Sequence, residues 1–338
     1  MKAYIVDAYG KGRALRLGDM PEPVVGDHDL LVEIHASSLN PLDSKVREGA
    51  FKPFLPYRPP FVLGHDMAGT VIRVGAKVTR FKVGDAVYGR PRDGRIGTFA
   101  EAIAIHEADV ALKPTNLSME EAASLPLVGL TAWQALVEQA RLQKGQKVLI
   151  HAGAGGVGTF AIQLARHLGA RVATTTSTAN VDLVRSLGAD DVIDYRTQRF
   201  DTLLSGYDVV LNSLDGDTLV RSLAVLKPGG KLISISGPPD PAFAHRQGLN
   251  IVLRQVMRFL SFGIRRKARA RDVDYSFLFM RADGGQLGAI SSLVEAGAVR
   301  PIIDRVFPFE RLNDAFTHID TGRAKGKVVL TRSTAKAS

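Results

Sequence analysis

The sequence predicts an α/β protein built around a doubly wound parallel sheet, with a β-rich unit ahead of it. Three observations predict this: short apolar alternations punctuated by Gly and Pro up to about residue 120, alternating helix and strand patterns from Ser118 onward, and a glycine-rich turn lying between a β-apolar strand and a helix. A chain of 338 residues exceeds one ordinary core and suits two domains at roughly 150 residues each. Two domains imply a cleft.

In order along the chain, the first unit reads as strands over 30–36, 68–74 and 85–88. The change of texture brings helices over 119–124 and 131–138, then a buried strand over 147–151. The alternation continues with a helix 156–168, a strand 171–176, a helix 179–187, and strands 191–193, 208–211 and 231–236, with turns at Gly188 and at Pro228-Gly229-Gly230. The last third offers a strand ending at Met280, a helix 286–296, a strand 301–306, a helix 310–319 and a closing strand 327–330. Residues 333–338 read as a disordered tail.

Composition narrows the chemistry. With no cysteine, disulfides, thiolate catalysis, iron–sulfur clusters and cysteine-ligated zinc are all excluded. The opening apolar run is too short for a signal peptide and no long charge-free stretch follows, so the sequence reads as cytoplasmic. A net charge of +10 favours anionic partners. Five of the seven residues from Arg265 to Arg271 are basic, which concentrates the excess.

The strand Lys147-Val148-Leu149-Ile150-His151 runs into Ala152-Gly153-Ala154-Gly155-Gly156-Val157-Gly158, a GxGxxG in strand, turn and helix context. Gly153 is read as permitting the tight turn, Gly155 as letting a pyrophosphate approach the backbone, and Gly158 as letting helix and sheet pack closely. The free N–H groups at Gly156 and Val157 then face the phosphates at the positive end of the helix. Val157, Ala161, Leu164 and Leu168 form the expected packing stripe, with Gly169 closing the helix.

An NAD-binding site of this kind carries an acid at the end of the second strand, roughly 20 residues past the glycines. Here the stretch is Thr174-Thr175-Thr176-Ser177-Thr178. Hydroxyls donate to a 2′-phosphate that a carboxylate repels, so Thr176 and Ser177 favour NADPH.

Two further segments stand out. The apolar run Tyr275, Phe277, Leu278, Phe279 and Met280 is expected as an edge strand, Asp274 to Met280, pairing with its symmetry mate in a homodimer. Between Leu249 and Arg271, Leu249, Leu253, Val256, Leu260 and Ile264 recur at helical spacing, with Arg254, Arg258 and Arg265 on another face. Such a helix either lies in a membrane interface, meeting lipid or a lipophilic quinone, or covers the cleft or a dimer partner.

At this point the sequence resembles the medium-chain dehydrogenase/reductase superfamily, in its zinc-free quinone oxidoreductase and enone reductase branch. The matching pieces span nearly the whole chain: Ser38-Leu39-Asn40-Pro41-Leu42-Asp43 with Arg47 and Gly49, Leu63-Gly64-His65-Asp66-Met67-Ala68-Gly69, Val83-Gly84-Asp85-Ala86-Val87-Tyr88-Gly89, Gly97-Thr98-Phe99-Ala100-Glu101, Leu125-Pro126-Leu127-Val128-Gly129-Leu130-Thr131-Ala132, the glycine loop, and Gly188-Ala189-Asp190-Asp191-Val192-Ile193-Asp194-Tyr195. The resemblance implies a Rossmann domain inserted in a GroES-like β-barrel catalytic domain. It sets expected boundaries of 1–122 and 282–332 for the catalytic domain and 123–281 for the Rossmann domain.

The positions that carry zinc ligands in metal-dependent relatives are here Asn40, His65 with Asp66, and Leu127, so the resemblance implies no metal, and His65 reads as structural. Relatives of this branch support the adenosine phosphate with a basic residue fifteen positions before a tyrosine. The tyrosine is kept as Tyr195, but Asn180 stands in the other place, and Arg323, Lys325 or Lys327 is expected to supply the missing charge. Asn40 is the candidate near the nicotinamide, Tyr57 a proton or hydrogen-bond donor, and Thr131 lies near the nicotinamide-side phosphate. Asn212 and Gly237 are placed at strand ends along the cofactor, and Asp43 and Arg47 are expected to form an ion pair.

The expected reaction is hydride transfer from NADPH to a quinone or to the conjugated C=C of an α,β-unsaturated carbonyl, since alcohol oxidation demands a Lewis acid and conjugate reduction does not. An enoyl-thioester reductase shares every one of these features. A non-catalytic, NADPH-gated protein binding nucleic acid or a partner is the competing class, but no aromatic-rich RNA motif accompanies Arg265 to Arg271, so no nucleic acid is expected.

Overall fold

The computed structural model describes residues 1–53, 55–214 and 216–332, and the expected tail 333–338 lies outside the described residues. The chain divides into two compact units, Met1–Leu130 with Arg281–Ser338, and Thr131–Met280. The first boundary falls inside one helix, Pro126–Trp133.

The first unit is β-rich. A seven-stranded sheet runs in the order Ile303–Pro308, Lys327–Thr331, Asp29–Leu39, Asp66–Val74, Ala86–Gly89 and Val110–Leu112, with Ala102–His106 also paired to Asp29–Leu39. A smaller sheet joins Arg16–Asp19, Lys2–Val6 and Phe61–Val62. Strand Asp29–Leu39 holds the unit together because it is almost wholly buried and pairs on both sides. The returning strand Lys327–Thr331 sits antiparallel to it, Val328 opposite Leu39 and Leu330 opposite Ser37, so residues from both ends of the chain share one core. That core includes Tyr4, Leu39, Val46, Leu63, Phe99, Phe307, Phe316 and Leu330.

The second unit is a six-stranded sheet, every pairing parallel, in the order Asp191–Asp194, Arg171–Thr176, Lys147–Ile150, Tyr207–Asn212, Leu226–Ser234, Asp274–Phe277. In chain order this is 3-2-1-4-5-6, the Rossmann arrangement, and its switch point lies between Lys147–Ile150 and Tyr207–Asn212. Loops at the carboxyl ends of those two strands therefore flank the natural crevice of the sheet.

Several elements differ from expectation; the strand expected over 231–236 starts earlier, as Leu226–Ser234, and takes in the expected turn at Pro228-Gly229-Gly230. The helix expected over 131–138 begins earlier, as Pro126–Trp133, and continues as a π-helical segment, Gln134–Gln139. Proline suits a first helical turn, and the apolar stretch that follows it is buried all round, which erases the periodicity. The helix expected from Leu249 onward is two helices, Ile251–Leu260 and Phe262–Arg269, separated at Ser261. The last Rossmann strand is Asp274–Phe277 rather than a strand to Met280; Tyr275, Phe277, Leu278 and Met280 are already buried in the single chain, so the edge offers backbone rather than a bare apolar strip. Among the described residues, no helix is long and apolar enough to cross a membrane.

Candidate functional site

The glycine loop opens the helix Gly156–His167 at the switch point of the second unit. Sequence reasoning gives the tight turn to Gly153, but the left-handed residue is Ala152, with φ 53°. Gly153 is required by packing instead: a Cβ there would lie 2.1 Å from Thr174 Oγ1. Gly158 is required in the same sense, since its Cβ would lie 2.3 Å from Ala152 O and 2.7 Å from Gly153 Cα. Gly155 is different. Its backbone is extended, φ −79° and ψ 171°, a conformation open to any residue, and a Cβ would meet only Ala152 O at 3.3 Å. A side chain there needs Ala152 O to give by a few tenths of an ångström, far less than at Gly153 or Gly158. Gly155 precedes the first turn of a twelve-residue helix, whose leading N–H groups, Gly156 and Val157 among them, have no intrahelical acceptor. The helix behind is buried almost all round from Gly158 to Ala165, broader than the expected stripe, while Val157 and Leu168 are half-buried.

His151, just ahead of the loop, escapes sequence reasoning. Its buried imidazole meets Thr175 Oγ1 through Nδ1 at 3.1 Å and Ser222 Oγ through Nε2 at 2.9 Å. Burial, helped by the positive charge of Arg221, pushes its pKa down to about 3, so the ring is neutral and braces the loop by hydrogen bonds alone. Across the crevice, Asn212 is fully buried, its amide N–H groups directed to Leu214 O and Ser236 Oγ, while its Oδ1 has no partner among the described residues. Gly237, at φ 117°, has open space where a Cβ would stand, with only Pro239 Cδ at 3.9 Å. An orphaned acceptor, a bare glycine and a helix N-terminus at one switch point fit a dinucleotide. Thr131 is buried in the helix Pro126–Trp133, at the unit boundary.

The second-strand end corrects part of the expectation. Thr174 donates to Ile150 O at 2.7 Å, and Thr175 Oγ1 accepts from Ala152 N at 3.3 Å, so these hydroxyls hold the sheet and the loop. Thr176 is buried. Ser177 is half-buried, and its Oγ accepts from Asn180 Nδ2 at 3.2 Å; Asn180 Oδ1 is buried without a partner among the described residues. Tyr195 is exposed and its N–H donates to Thr176 O at 3.1 Å, which joins the ends of the second and third strands. Two neighbours were missed. Asp194 accepts from Thr178 Oγ1 at 2.5 Å and from Arg196 N at 3.0 Å, and the Thr178 hydroxyl beside it holds its carboxyl below the usual range. Arg196 is exposed and carries no ion pair among the described residues. Its adjacency to Tyr195 was the available signal.

In the first unit, Asn40, Asp43, His65, Asp66 and Lys327 form a buried polar network. Asn40 precedes the helix Pro41–Glu48, and its backbone N–H donates to Asp43 Oδ2 at 2.8 Å. The other Asp43 oxygen meets His65 Nδ1 at 2.6 Å, and His65 Nε2 is buried without a partner among the described residues. The expected Asp43–Arg47 pair does not form: Arg47 donates to Asp320 at 2.8 Å and stacks on Phe316, because Asp43 is committed to His65. Asp66 accepts from Ser38 Oγ, Asn40 Nδ2, Leu127 N and Lys327 Nζ, all within 3.0 Å.

Lys327 is the main correction. Expected near an adenosine phosphate, its ammonium is buried, donating to Asn40 Oδ1 at 2.5 Å, Leu39 O at 3.0 Å and Asp66 Oδ2 at 3.0 Å, so its three donors are spent within this unit. Arg323 and Lys325 are exposed. Asn40 is correspondingly held on both sides of its amide rather than presented freely. A catalytic zinc does not fit these residues. The positions that resemblance gives to its ligands hold the Asn40 amide, the His65 imidazole, the Asp66 carboxylate already paired with an ammonium, and Leu127; one imidazole is too few, and no group of three or more His, Asp or Glu side chains suited to a metal occurs among the described residues.

Tyr57 lies apart from this network. Its ring stacks on Phe61 with centroids 5.3 Å apart, its carbonyl accepts from the Tyr9 hydroxyl, and its own hydroxyl oxygen accepts from Gly94 N at 3.1 Å. Burial, countered in part by the Gly94 hydrogen bond, pushes its pKa up to about 12. The phenol is therefore protonated at neutral pH and its O–H remains a donor.

Residues 26–115 match the family described as alcohol dehydrogenase GroES-like domain, and residues 187–330 match that described as zinc-binding dehydrogenase. The chain is 37% identical to the 2-methylene-furan-3-one reductase of Solanum lycopersicum, over 98% of this chain and 79% of that protein. Among solved structures it is similar to a quinone oxidoreductase from Coxiella burnetii, 32% identical with a TM-score of 0.86 over 98% of this chain and 99% of that one. It is also similar to a mycobacterial structure complexed with NADPH, 27% identical with a TM-score of 0.81 over 98% and 100% of the two chains.

Proposed function

Because this chain belongs to the medium-chain dehydrogenase/reductase superfamily, in its quinone and enone oxidoreductase branch, we propose that it reduces a quinone or the conjugated C=C of an α,β-unsaturated carbonyl with NADPH and without zinc. The observation that carries the reading is Gly155, a glycine that its backbone does not require and its packing requires far less than Gly153 or Gly158, beside a helix N-terminus of the kind that takes a pyrophosphate. The bound dinucleotide supplies the hydride.

The chain's own residues bind and orient. Gly155, Gly156 and Val157 take the pyrophosphate, braced by Gly153, Gly158 and the neutral His151. Asn212 offers its unpaired Oδ1 toward the cofactor beside Gly237, and Thr131 serves the nicotinamide-side phosphate. At the adenosine end, Ser177, Asn180 and Tyr195 surround the ribose, and Arg196 supplies the cation that Asn180 does not. Tyr57 donates a hydrogen bond to the substrate oxygen on which negative charge collects. Asn40 is a positioning residue, locked between Lys327 and Asp66. The ammonium of Lys327 on Asp66 supports the zinc-free half of the reading.

The same proposal includes a homodimer through the open edge of Asp274–Phe277 and a cytoplasmic location. The test is NADPH oxidation against quinones, short enones and enoyl thioesters, run beside NADH. Turnover with quinone or enone and preference for NADPH are expected. Tight NADPH binding with no turnover in any class would instead make the chain a nucleotide-gated binding protein.

A further inference from the structure

The helices Ile251–Leu260 and Phe262–Arg269 bury Met257, Ile264 and Ala268 but leave most of their large apolar side chains outside the core. On the first, only Met257 is fully buried, whereas Phe259 is 82% exposed, Ile251 and Val252 each 67%, and Val256 and Leu260 about half exposed. At 100° per residue these five lie on one side of the helix, opposite Met257. Phe262, 59% exposed, begins the second helix, whose buried residues are Ile264 and Ala268. Six large apolar side chains thus stand in water along one two-helix segment. A patch of this kind marks an interaction surface rather than scattered exposure.

Charge identifies the occupant. Arg258, Arg265, Arg266, Lys267, Arg269 and Arg271 flank the patch, and none is ion-paired among the described residues. No Asp or Glu occurs from Leu249 to Arg271. A twofold contact that laid this face on a second copy of itself would oppose cations to cations with no carboxylate from the segment to relieve them. A nucleic-acid backbone would satisfy the arginines but would leave Ile251, Val252 and Phe259 without apolar partners. An anionic bilayer surface satisfies both sets: aromatic and aliphatic side chains enter the acyl boundary while arginines meet phosphate and carboxylate headgroups. The two helices lie within the size of an interfacial anchor and are far too short to span.

We propose that Ile251–Arg269, continued to Arg271, is a membrane-docking surface that seats the protein reversibly on anionic lipid. The inference goes beyond the catalytic reading and does not depend on it, because docking is measured without turnover. If both hold, the enzyme works at the surface where a lipophilic quinone resides.

The test is cosedimentation of the full chain with large unilamellar vesicles of phosphatidylcholine alone or mixed with phosphatidylglycerol, at low and high ionic strength. The protein should pellet with the anionic vesicles at low salt, be released at high salt, and ignore the neutral vesicles. Arg266→Glu/Lys267→Glu/Arg269→Glu should weaken partitioning at least tenfold, since each headgroup-facing cation contributes roughly fivefold. Phe259→Ser/Phe262→Ser should weaken it comparably with anionic lipid unchanged, which a purely electrostatic contact would not show. All these residues are exposed, so the variants fold, and unchanged thermal unfolding and NADPH affinity verify that. Failure of the wild type to pellet with anionic vesicles at low salt overturns the proposal. A light-scattering dimer dissolved by Phe259→Ser overturns it as well and assigns the face to a second copy.

Discussion

Replacing Lys327 by methionine keeps the side chain's length and apolar stem but removes the ammonium that Leu39 O, Asn40 Oδ1 and Asp66 Oδ2 share. Asp66, wholly buried, keeps three neutral donors, Ser38, Asn40 and Leu127 N, but loses its countercharge. Removing one partner of a buried ion pair costs about 3–5 kcal/mol, because the remaining charge stays desolvated. For a unit of this size that corresponds to a fall in Tm on the order of 10 °C. Calorimetry of Lys327→Met, Asp66→Asn and the double variant measures it. The single lysine change should be the most damaging, and the double variant should recover most of the loss, since an uncharged amide in place of the Asp66 carboxylate no longer needs a cation. A Lys327→Met protein within about 1 kcal/mol of wild type, or a double variant no better than the single, would refute the network as described and with it the positioning of Asn40.

Three other outcomes follow from the second unit. Gly155→Val should leave the protein folded, its Cβ meeting Ala152 O alone, yet abolish NADPH binding in a fluorescence titration; retained affinity would mean the loop is only a turn. Arg196→Glu should weaken NADPH roughly tenfold or more, as expected for loss of a charge-assisted phosphate contact, while NADH affinity barely changes. His151, held near pKa 3 when folded against 6.5 when free, contributes stability that is fully present above pH 6.5 and lost as pH falls from there toward 3. At pH 5 the loss is about 2 kcal/mol, and His151→Gln should flatten that part of the pH–stability curve.

Much of the fold was legible because its signals are local. The strand Arg171–Thr176 was bounded from pattern alone, and the loop's strand, turn and helix were read from glycine spacing. The site was less legible because its decisive contacts join residues far apart in sequence. Nothing near Lys327 announces that its ammonium meets Asp66, 261 positions earlier, and the last of three basic residues among Gly322 to Lys327 looks like one more surface cation. The Asp43–Arg47 expectation failed for the same reason, since proximity along a helix suggested a pair that His65 and Asp320 divide between them. The glycines show the opposite limit. Spacing identifies all three, but only the contacts around them separate the two that packing requires from Gly155.

The most direct test of the central claim follows deuterium. Chelator-dialysed enzyme is supplied with NADPH carrying deuterium in the transferred position of its nicotinamide C4 and with a short enone, and the product is located by NMR and mass spectrometry. Metal-independent conjugate reduction predicts a saturated ketone with one deuterium on the β-carbon, formed at the same rate with or without added zinc. Deuterium on the carbonyl carbon of an allylic alcohol, or turnover that vanishes on chelation and returns with zinc, would contradict it.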